Sequence, residues 1–399
     1  NATIIGAGDG NFIADRNGIA RVWMDHALWP QMTTQLYLDQ TGDLALLDRK
    51  APYFKDPQAM RGNGIDEAWA PEQGSWQRTE AGEIYQGTLL EHLLLQQLTA
   101  FYDVGEHNLY RLRGADWNDA LDMAADRGES VAFTCAYAGN LRTLAALLRR
   151  LEGRTPGGEA ELMEELTVLL RPGQDYDDRN GKRALLGQYL ERCRHTLSGR
   201  TVRVPLTDLA DDLEKRADWL TGHLRRQEWI DGGATDEQIR RITASADHYL
   251  YRPEIGGYRL NTDFGELKFN LGRMFGFAYG EKENGAVFSH MTVMYANALY
   301  RRGFAREGWK ALKTLADAAL HFETSRIYPG IPEYFSTDGR GVYHYLTGAA
   351  SWFMLTMITQ AFGVRGEAGD LLLAPQLTAE QFDETGTAEL RLVFAGRPL

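Results

Sequence analysis

The sequence predicts a mainly helical protein, and three observations support that fold class. Apolar residues recur at helical spacing in several long segments, of which 87–102 is the clearest. Long loops rich in glycine and aromatic residues join these segments, and strand-like sequence follows only near the end. Helix pairs whose long loops gather at one end suggest an α/α barrel, in which the loops of one face form the site.

The first predicted helix lies at 29–40, and Gly42 ends it. The residues around it, up to about position 80, are rich in Gly, Asp and Trp and predict long loops of the kind that carry sites. The other predicted helices cover 87–102, 130–151, 158–170, 179–197, 207–227, 289–302, 305–323 and 347–362.

The last part of the chain changes character. Residues 371–373 and 390–394 read as strands separated by turn-type residues. We therefore expect a helical domain over 1–365 and the start of a small β domain over 366–399.

Composition and charge limit the function classes. With 43 Lys+Arg against 55 Asp+Glu, the net charge is −12, which argues against non-specific nucleic-acid binding. The two cysteines lack CxxC spacing, so a disulfide framework and a structural zinc site are both poorly supported. No apolar run approaches the roughly 18 residues of a membrane-spanning helix, and no signal peptide is recognised. These features predict a cytoplasmic protein without nucleic-acid or membrane partners.

Several familiar motifs are absent from the sequence. The glycines at 6, 8 and 10 resemble a dinucleotide fingerprint, but Asn11 stands where its last glycine belongs. No HExxH and no G-x-S-x-G occur, and no histidine has metal-ligand spacing to a second His or Cys. We expect no metal site.

A first cluster, 113–122, packs carboxylates, an amide and one Trp into a few residues: Asp116, Trp117, Asn118, Asp119 and Asp122. A ring that stacks on a sugar and an acid that protonates the leaving oxygen are what a glycosidic site needs. The alternative is a capped loop before a helix, since Asp and Asn favour turns.

A second cluster, 281–290, ends in His290 at a predicted helix start, where free N–H groups suit phosphate. The alternative is that Ser289 caps the helix and His290 binds nothing. A third cluster, 339–352, places Thr347 and Gly348 at another helix start, where small residues admit a ligand close to the backbone. Its alternative is tight helix packing through Gly and Ala.

Together these clusters resemble the inverting sugar phosphorylases of glycoside hydrolase family 94, which include cellobiose, chitobiose and β-oligoglucan phosphorylases. The family's D-W-N-D and G-E-S-V motifs match 116–119 and 128–131. Its G-x-F-S-H motif matches 286–290 with Ala in place of Gly, and its T-G-x-A-S-W motif matches 347–352. The resemblance implies an (α/α)6 barrel whose N-terminal sandwich and first helices this chain lacks, followed by part of a small β domain.

The resemblance also implies roles for individual residues. Asp119 is the implied general acid, and His290, Thr347 and Gly348 are the implied phosphate ligands. The implied sugar-binding residues are Trp117, Asp25, Arg21, Glu333 and Glu283; His26 replaces a second carboxylate beside Asp25.

The implied reaction is inverting phosphorolysis of a β-glucosidic bond in an oligoglucan or disaccharide, which reversibly gives α-glucose 1-phosphate. Phosphate is the co-substrate, and no cofactor is expected. The expected protein partners are a second copy of the chain, in a homodimer, and the missing N-terminal part of the same protein. Two alternatives stay open. One is an inverting hydrolase with Glu333 as the second carboxylate, and the other is a carbohydrate-binding fragment without activity.

Overall fold

Helices predominate in the computed structural model, which describes residues 24–113, 124, 127–153, 158–227, 235–268, 272–328, 330–343, 348–394 and 397–398. The fold class is therefore confirmed as mainly α, while the barrel and the domain boundary at 365/366 stay predictions. The chain divides into two units, one formed by 1–37 and 43–233 and the other by 38–42 and 234–399.

The first unit contains five helices in its described part, with the end of α1 assigned to the other unit. They are α1 (Leu28–Thr41), α2 (Leu89–Tyr102), α3 (Val131–Glu152), α4 (Arg179–Arg192) and α5 (Leu206–Gln227). Three antiparallel strand pairs accompany them: β1 (Lys50–Pro52) with β4 (Gln86–Thr88), β2 (Gln58–Ala59) with β3 (Gly64–Ile65), and β5 (Glu159–Met163) with β6 (Thr201–Pro205).

Helix α2 is the buried helix of this unit. Thr88 caps it by accepting a hydrogen bond from the Glu91 N–H at 3.1 Å. Every residue from Leu90 to Tyr102 is buried, so the helix is surrounded on all sides.

Helices α3 and α5 pack against each other along an apolar seam. Leu141, Leu144 and Leu148 recur on α3 at spacings of three and four, and Leu213 and Leu220 lie on α5; all five are buried. Ion pairs flank the seam at its exposed edge, where Arg149 lies 2.7 Å from both Asp211 and Glu214. The buried leucines contribute most of the stability here, because exposed ion pairs contribute about 0–1 kcal/mol each.

Helix α3 has a second property. Its most apolar 18-residue window has a mean hydropathy of 1.3, so by length and composition alone the helix could cross a membrane. The expectation that no segment approaches this length is wrong by that measure. A core helix passes the same test, and α3 is half buried against its neighbours.

The second unit contains five more helices in its described part: α6 (Asp236–Tyr249), α7 (Ser289–Arg301), α8 (Ala305–Leu320), α9 (Phe322–Ser325) and α10 (Gly348–Thr356). Three strand pairs are β7 (Tyr251–Arg252) with β8 (Gly257–Tyr258), β12 (Val364–Glu367) with β13 (Asp370–Leu373), and β14 (Val393–Phe394) with β15 (Arg397–Pro398). A three-stranded antiparallel sheet has the order β9 (Val287–Phe288), β10 (Tyr334–Phe335) and β11 (Gly341–Val342), with β10 in the centre.

The core of this unit lies between α7 and α8. Val293 and Tyr300 of α7 pack with Leu312 and Leu315 of α8 and with Phe335 of the sheet, all of them buried. This packing fixes the start of α7 beside the central strand β10, which matters for the site below.

Three local predictions differ from the structure, and one helix was missed. Residues 158–170 do not form one helix, because β5 pairs with β6 over Glu159–Met163 and a 3₁₀ helix follows at Glu164–Leu170. Helix α6 was not predicted. The predicted helix at 347–362 changes at Met357 into a π-helical turn that ends at Ala361, and the predicted strand at 390–394 is reduced to Val393–Phe394.

Candidate functional site

The three-stranded sheet holds Glu333 beside the first turn of α7. The Glu333 carbonyl accepts a hydrogen bond from the Ser289 N–H at 2.8 Å, and the Glu333 N–H donates to the carbonyls of Val342 and Tyr343 at 3.2 and 3.0 Å. The backbone of Glu333 is therefore fixed on both sides, and its side chain, which is half-buried, lies close enough to His290 to influence its charge.

The start of α7 differs from the alternative in which Ser289 caps the helix. Phe288, not Ser289, occupies the cap position, and its side chain makes no capping bond. Ser289 is the first helical residue, and its Oγ is buried and has no hydrogen-bond partner within the described part of the chain. His290 follows, half-buried, on the first turn.

His290 and Gly348 are brought together, as the resemblance implies. Gly348 is the first residue of α10, and a Cβ built on it would lie 2.7 Å from the His290 Nε2 atom. Real side-chain carbons do not approach other atoms so closely, so a side chain at position 348 would require the imidazole to shift. The Nε2 atom thus lies beside the first residue of α10, and the first N–H groups of a helix have no partner within it.

The pKa of His290 lies below its ordinary value. Burial lowers the pKa because it disfavours the charged ring, and the negative charge of Glu333 offsets part of this effect. His290 is therefore neutral near pH 7, and one of its ring nitrogens carries a hydrogen that it can donate.

Glu283 lies in a tight turn that precedes β9. The turn is closed by the Asn284 N–H, which donates to the Glu281 carbonyl at 3.1 Å, and by the buried Asn284 side chain, whose Nδ2 donates to the Phe277 carbonyl at 2.8 Å. The Oε2 atom of Glu283 is buried and has no hydrogen-bond partner among the residues that the structure describes. An unpaired buried carboxylate oxygen is costly, so this atom is suited to accept a hydrogen from a ligand.

Sequence reasoning missed three residues around this turn. The Lys282 Nζ lies 4.7 Å from the ring centre of Tyr343, and the Tyr343 ring lies 6.0 Å from that of Tyr334. Burial first, and then the negative charges of Glu281, Glu333 and Glu283, raise the pKa of Tyr334 to about 12. The phenol of Tyr334 therefore stays protonated across the neutral range. Lys282 and Tyr343 lie within the second and third clusters of the sequence, and Tyr334 lies shortly before the third. Their contacts depend on tertiary structure, which local sequence does not specify.

In the first unit, the segment that contains Asp119 is described at both ends. At its start the Leu112 N–H donates to the Gly128 carbonyl at 2.8 Å, and the Ser130 N–H donates to the Tyr110 carbonyl at 2.9 Å. Ser130 then caps α3 by accepting from the Phe133 N–H at 3.1 Å. Of the G-E-S-V motif, therefore, the first three residues pair with 110–112.

The remaining predicted residues are not placed. Arg21, Trp117, Asp119 and Thr347 lie outside the described residues. Asp25 belongs to the 3₁₀ helix Met24–Ala27, but its side chain is not described. Within the described ranges, no group of three or more His, Cys, Asp or Glu side chains could hold a metal ion.

Comparison with known proteins supports the family resemblance. No protein-family model matches the chain. A cellobionic acid phosphorylase of Neurospora crassa is 24% identical over 386 residues, which cover 92% of this chain and 42% of that protein. A solabiose phosphorylase of Paenibacillus borealis is 25% identical over 85% of this chain and 39% of that protein. A cyclic β-(1,2)-glucan synthase of Rhizobium meliloti is 24% identical over 91% of this chain and 12% of that protein.

The chain thus spans less than half the length of these curated relatives. Its resemblance to the phosphorylases of glycoside hydrolase family 94 is confirmed.

Proposed function

We propose that this chain is part of an enzyme that phosphorolyses a β-glucosidic bond in an oligoglucan or disaccharide with inversion, giving α-glucose 1-phosphate reversibly. The single observation that carries the proposal is the approach of the His290 Nε2 to Gly348 at the start of α10. A neutral imidazole that donates one hydrogen bond, next to the unpaired N–H groups of a helix start, forms a small site for one anion. The names of the relatives point to the same chemistry.

The proposed reaction needs one acid. A phosphate oxygen attacks the anomeric carbon from the face opposite the glycosidic oxygen, the bond to that oxygen breaks, and Asp119 transfers its proton to the leaving oxygen. Inverting hydrolases need a second carboxylate to activate water, but phosphate is already an anionic nucleophile. We propose that His290, Thr347 and Gly348 position the phosphate in place of that base.

The sugar is proposed to lie against the remaining predicted residues. The unpaired Glu283 Oε2 supports this role for Glu283, because a sugar hydroxyl would satisfy the buried oxygen. For Trp117, Asp25 and Arg21 the proposal depends on the resemblance alone. Glu333 has a fixed backbone next to His290, which suits a side chain that contacts the sugar bound beside the phosphate.

The test uses the full-length protein with a panel of β-1,2-, β-1,3- and β-1,4-linked glucose oligosaccharides and inorganic phosphate. We expect release of α-glucose 1-phosphate from one linkage class, and glycoside synthesis in the reverse direction from that product. Asp119→Asn is expected to abolish turnover while sugar binding persists. Asp218→Asn makes the same chemical change at an exposed position of α5 and is the matched control, expected to keep full activity.

Release of free glucose at a rate independent of phosphate would overturn the proposal in favour of an inverting hydrolase. The observation that favours this second candidate is the position of Glu333, a carboxylate that acts electrostatically on His290. Sugar binding without any turnover, in wild type and Asp119→Asn alike, would instead identify a carbohydrate-binding protein.

The wider setting of the enzyme is also proposed. We propose that residues 1–365 belong to an (α/α)6-barrel domain and residues 366–399 to a small β domain, with a cytoplasmic location and no metal or organic cofactor. A homodimer, or association with the rest of the same protein, is the proposed assembly.

A further inference from the structure

A cavity beside α8 lies in the same unit as His290, but none of the residues proposed above to bind sugar or phosphate lines it. Its volume is about 620 Å³, and its lining comes from α8, from the strand β7 and from the 3₁₀ helix Ala379–Gln381. Protein cavities that hold small ligands have volumes of about 300–1,000 Å³. The α8 cavity is therefore of a size that suits a ligand.

The half-buried part of the lining contains two aromatic side chains and a hydroxyl. The Tyr251 hydroxyl of β7 shares a hydrogen bond with the Thr314 Oγ1 of α8, at 2.9 Å. Trp309 packs in part against the core of the unit, and it also lines the cavity. These side chains are held in place by the protein itself, which lowers the entropy cost of binding a ligand.

Lys310 lies in the same half-buried part, next to a carboxylate. Its Nζ lies 4.0 Å from the centre of the Tyr251 ring and 2.8 Å from the Asp247 Oδ1. The Tyr258 hydroxyl donates to the same Oδ1 at 2.6 Å. An ammonium group has three hydrogens, so Lys310 can donate to a ligand while it stays paired with Asp247.

The exposed rim of the cavity carries charges of both signs. Lys313 donates a hydrogen bond to Asp317, one turn further along α8. Arg306 and Glu380 also lie on the rim. Together with the pair of Lys310 and Asp247, the cavity thus has equal numbers of cations and carboxylates around it. Such a lining offers no electrostatic attraction to a phosphate or another anion.

A neutral cavity with aromatic and charged side chains suits a sugar chain. The C–H faces of a sugar ring are apolar and can pack on an aromatic ring such as Trp309. Sugar hydroxyls both donate and accept hydrogen bonds, so the cations and the carboxylates of the rim could each find a partner. A hydrocarbon ligand would instead remove these charged groups from water without any hydrogen bond, which is unfavourable.

We propose that the α8 cavity is a second sugar-binding site, which takes a neutral β-linked glucose oligosaccharide and is separate from the site at His290. The choice of a β-linked glucose chain rests on the proposed function, whereas the assignment to sugar rests on the lining of the cavity. The second site binds a substrate chain without taking part in the reaction.

The test is calorimetric titration of the full-length protein with thio-linked glucose tetrasaccharides of the β-1,2, β-1,3 and β-1,4 types. Sulfur in place of the glycosidic oxygen keeps the ligand intact during the titration. Wild type should bind two molecules per chain and Trp309→Ala only one. Trp76→Ala removes the same kind of side chain at an exposed position of the other unit, and this control should keep both sites.

Arg306→Ala is the second variant and changes an exposed side chain, so it should fold even if Trp309→Ala does not. Loss of one hydrogen bond should weaken the second site roughly three- to tenfold. Arg301→Ala, at an exposed arginine that ends α7, is its matched control and should leave both affinities unchanged.

The proposal is overturned if folded Trp309→Ala binds as many molecules as wild type, or if Arg306→Ala binds as tightly as Arg301→Ala. The first result is also expected if the rest of the full-length protein fills the cavity. Failure of the proposed function gives a different result. In that case Trp309→Ala binds one molecule fewer than wild type, yet oxygen-linked oligosaccharides and phosphate release no α-glucose 1-phosphate.

Discussion

The imidazole of His290 lies against the first residue of α10, so close that a single carbon added to Gly348 would be 2.7 Å from its Nε2. The two residues are far apart in sequence and come from different helices. Packing of α7 against α10 brings them together, and the Asn297 Nδ2 stabilises that packing by donating to the Thr356 Oγ1 at 3.0 Å. An anion held there would contact side chain and backbone at once.

Gly348→Ala is predicted to displace the His290 ring and weaken anion binding. A hydrogen bond to a charged group contributes about 1.5–3 kcal/mol, so loss of one should lower phosphate affinity roughly ten- to hundredfold. Titration calorimetry with phosphate, and the KM for phosphate once an active substrate is known, provide the measurement.

Gly187→Ala is the control for this change. Gly187 lies within α4, and a Cβ there meets no atom within 4 Å. We expect it to raise the free energy of unfolding by about 0.4–1 kcal/mol and to leave anion binding unchanged. If Gly348→Ala binds phosphate as tightly as Gly187→Ala does, His290 and Gly348 do not form the anion site.

Anion affinity is predicted to rise as the pH falls. The pKa of free His290 lies below its ordinary value, and a bound anion favours the protonated ring and raises that pKa. Affinity should therefore increase as the pH falls through the pKa that His290 has with the anion bound. It should level off below the pKa that His290 has without the anion, which lies under about 6.5. Sulfate is the suitable probe because, unlike phosphate, it does not change its own charge in this range.

His290→Asn provides the comparison for the sulfate titration. An amide of this kind can still donate a hydrogen bond but does not become charged. Its sulfate affinity should be lower than that of wild type at acidic pH and nearly independent of pH. A wild-type affinity that stays constant across the same range would exclude protonation of His290 as part of binding.

Local patterns predicted the helices well where helical spacing and tertiary packing agree. The helix expected at 289–302 is observed as Ser289–Arg301, for example. The helix expected at 158–170 failed because β5 is fixed by pairing with β6, which lies about 40 residues further along the chain and is invisible to local periodicity. The capping box of Thr235 and Gln238 is a local feature of the sequence that marks the start of α6.

The candidate site was predictable only in part. Side-chain types at two helix starts indicated His290 and Gly348 separately, and the family resemblance joined them. Two features could not be predicted: the unpaired Oε2 of Glu283, and the position of Lys282 over the Tyr343 ring. Both depend on backbone conformations, including φ of +45° at Lys282 and +54° at Tyr343, that no local pattern specifies.

Leu213→Ala is predicted to destabilise the first unit strongly. Leu213 is fully buried on α5, in the seam with α3. Removal of a buried leucine side chain costs about 2–5 kcal/mol, depending on how far the cavity collapses. Urea unfolding followed by circular dichroism measures this loss. Leu267→Ala is the control, because that side chain is 65% exposed, and it should change the free energy of unfolding by less than about 0.5 kcal/mol. Equal effects of the two changes would contradict the assignment of Leu213 to the core.

Glu333→Gln is predicted to strengthen anion binding while it weakens sugar binding. The Glu333 carboxylate acts electrostatically on His290, and the same negative charge opposes an anion bound there. Removal of this charge should tighten sulfate binding by a factor on the order of three to ten at low salt, and the gain in affinity should shrink as salt screens the charges.

Glu323→Gln, at an exposed carboxylate on α9, is the control and should change neither affinity. If the enzyme is a phosphorylase, Glu333→Gln should keep turnover at saturating sugar. If it is an inverting hydrolase that uses Glu333 as its base, the same change should abolish turnover. This one variant therefore distinguishes the two proposed functions.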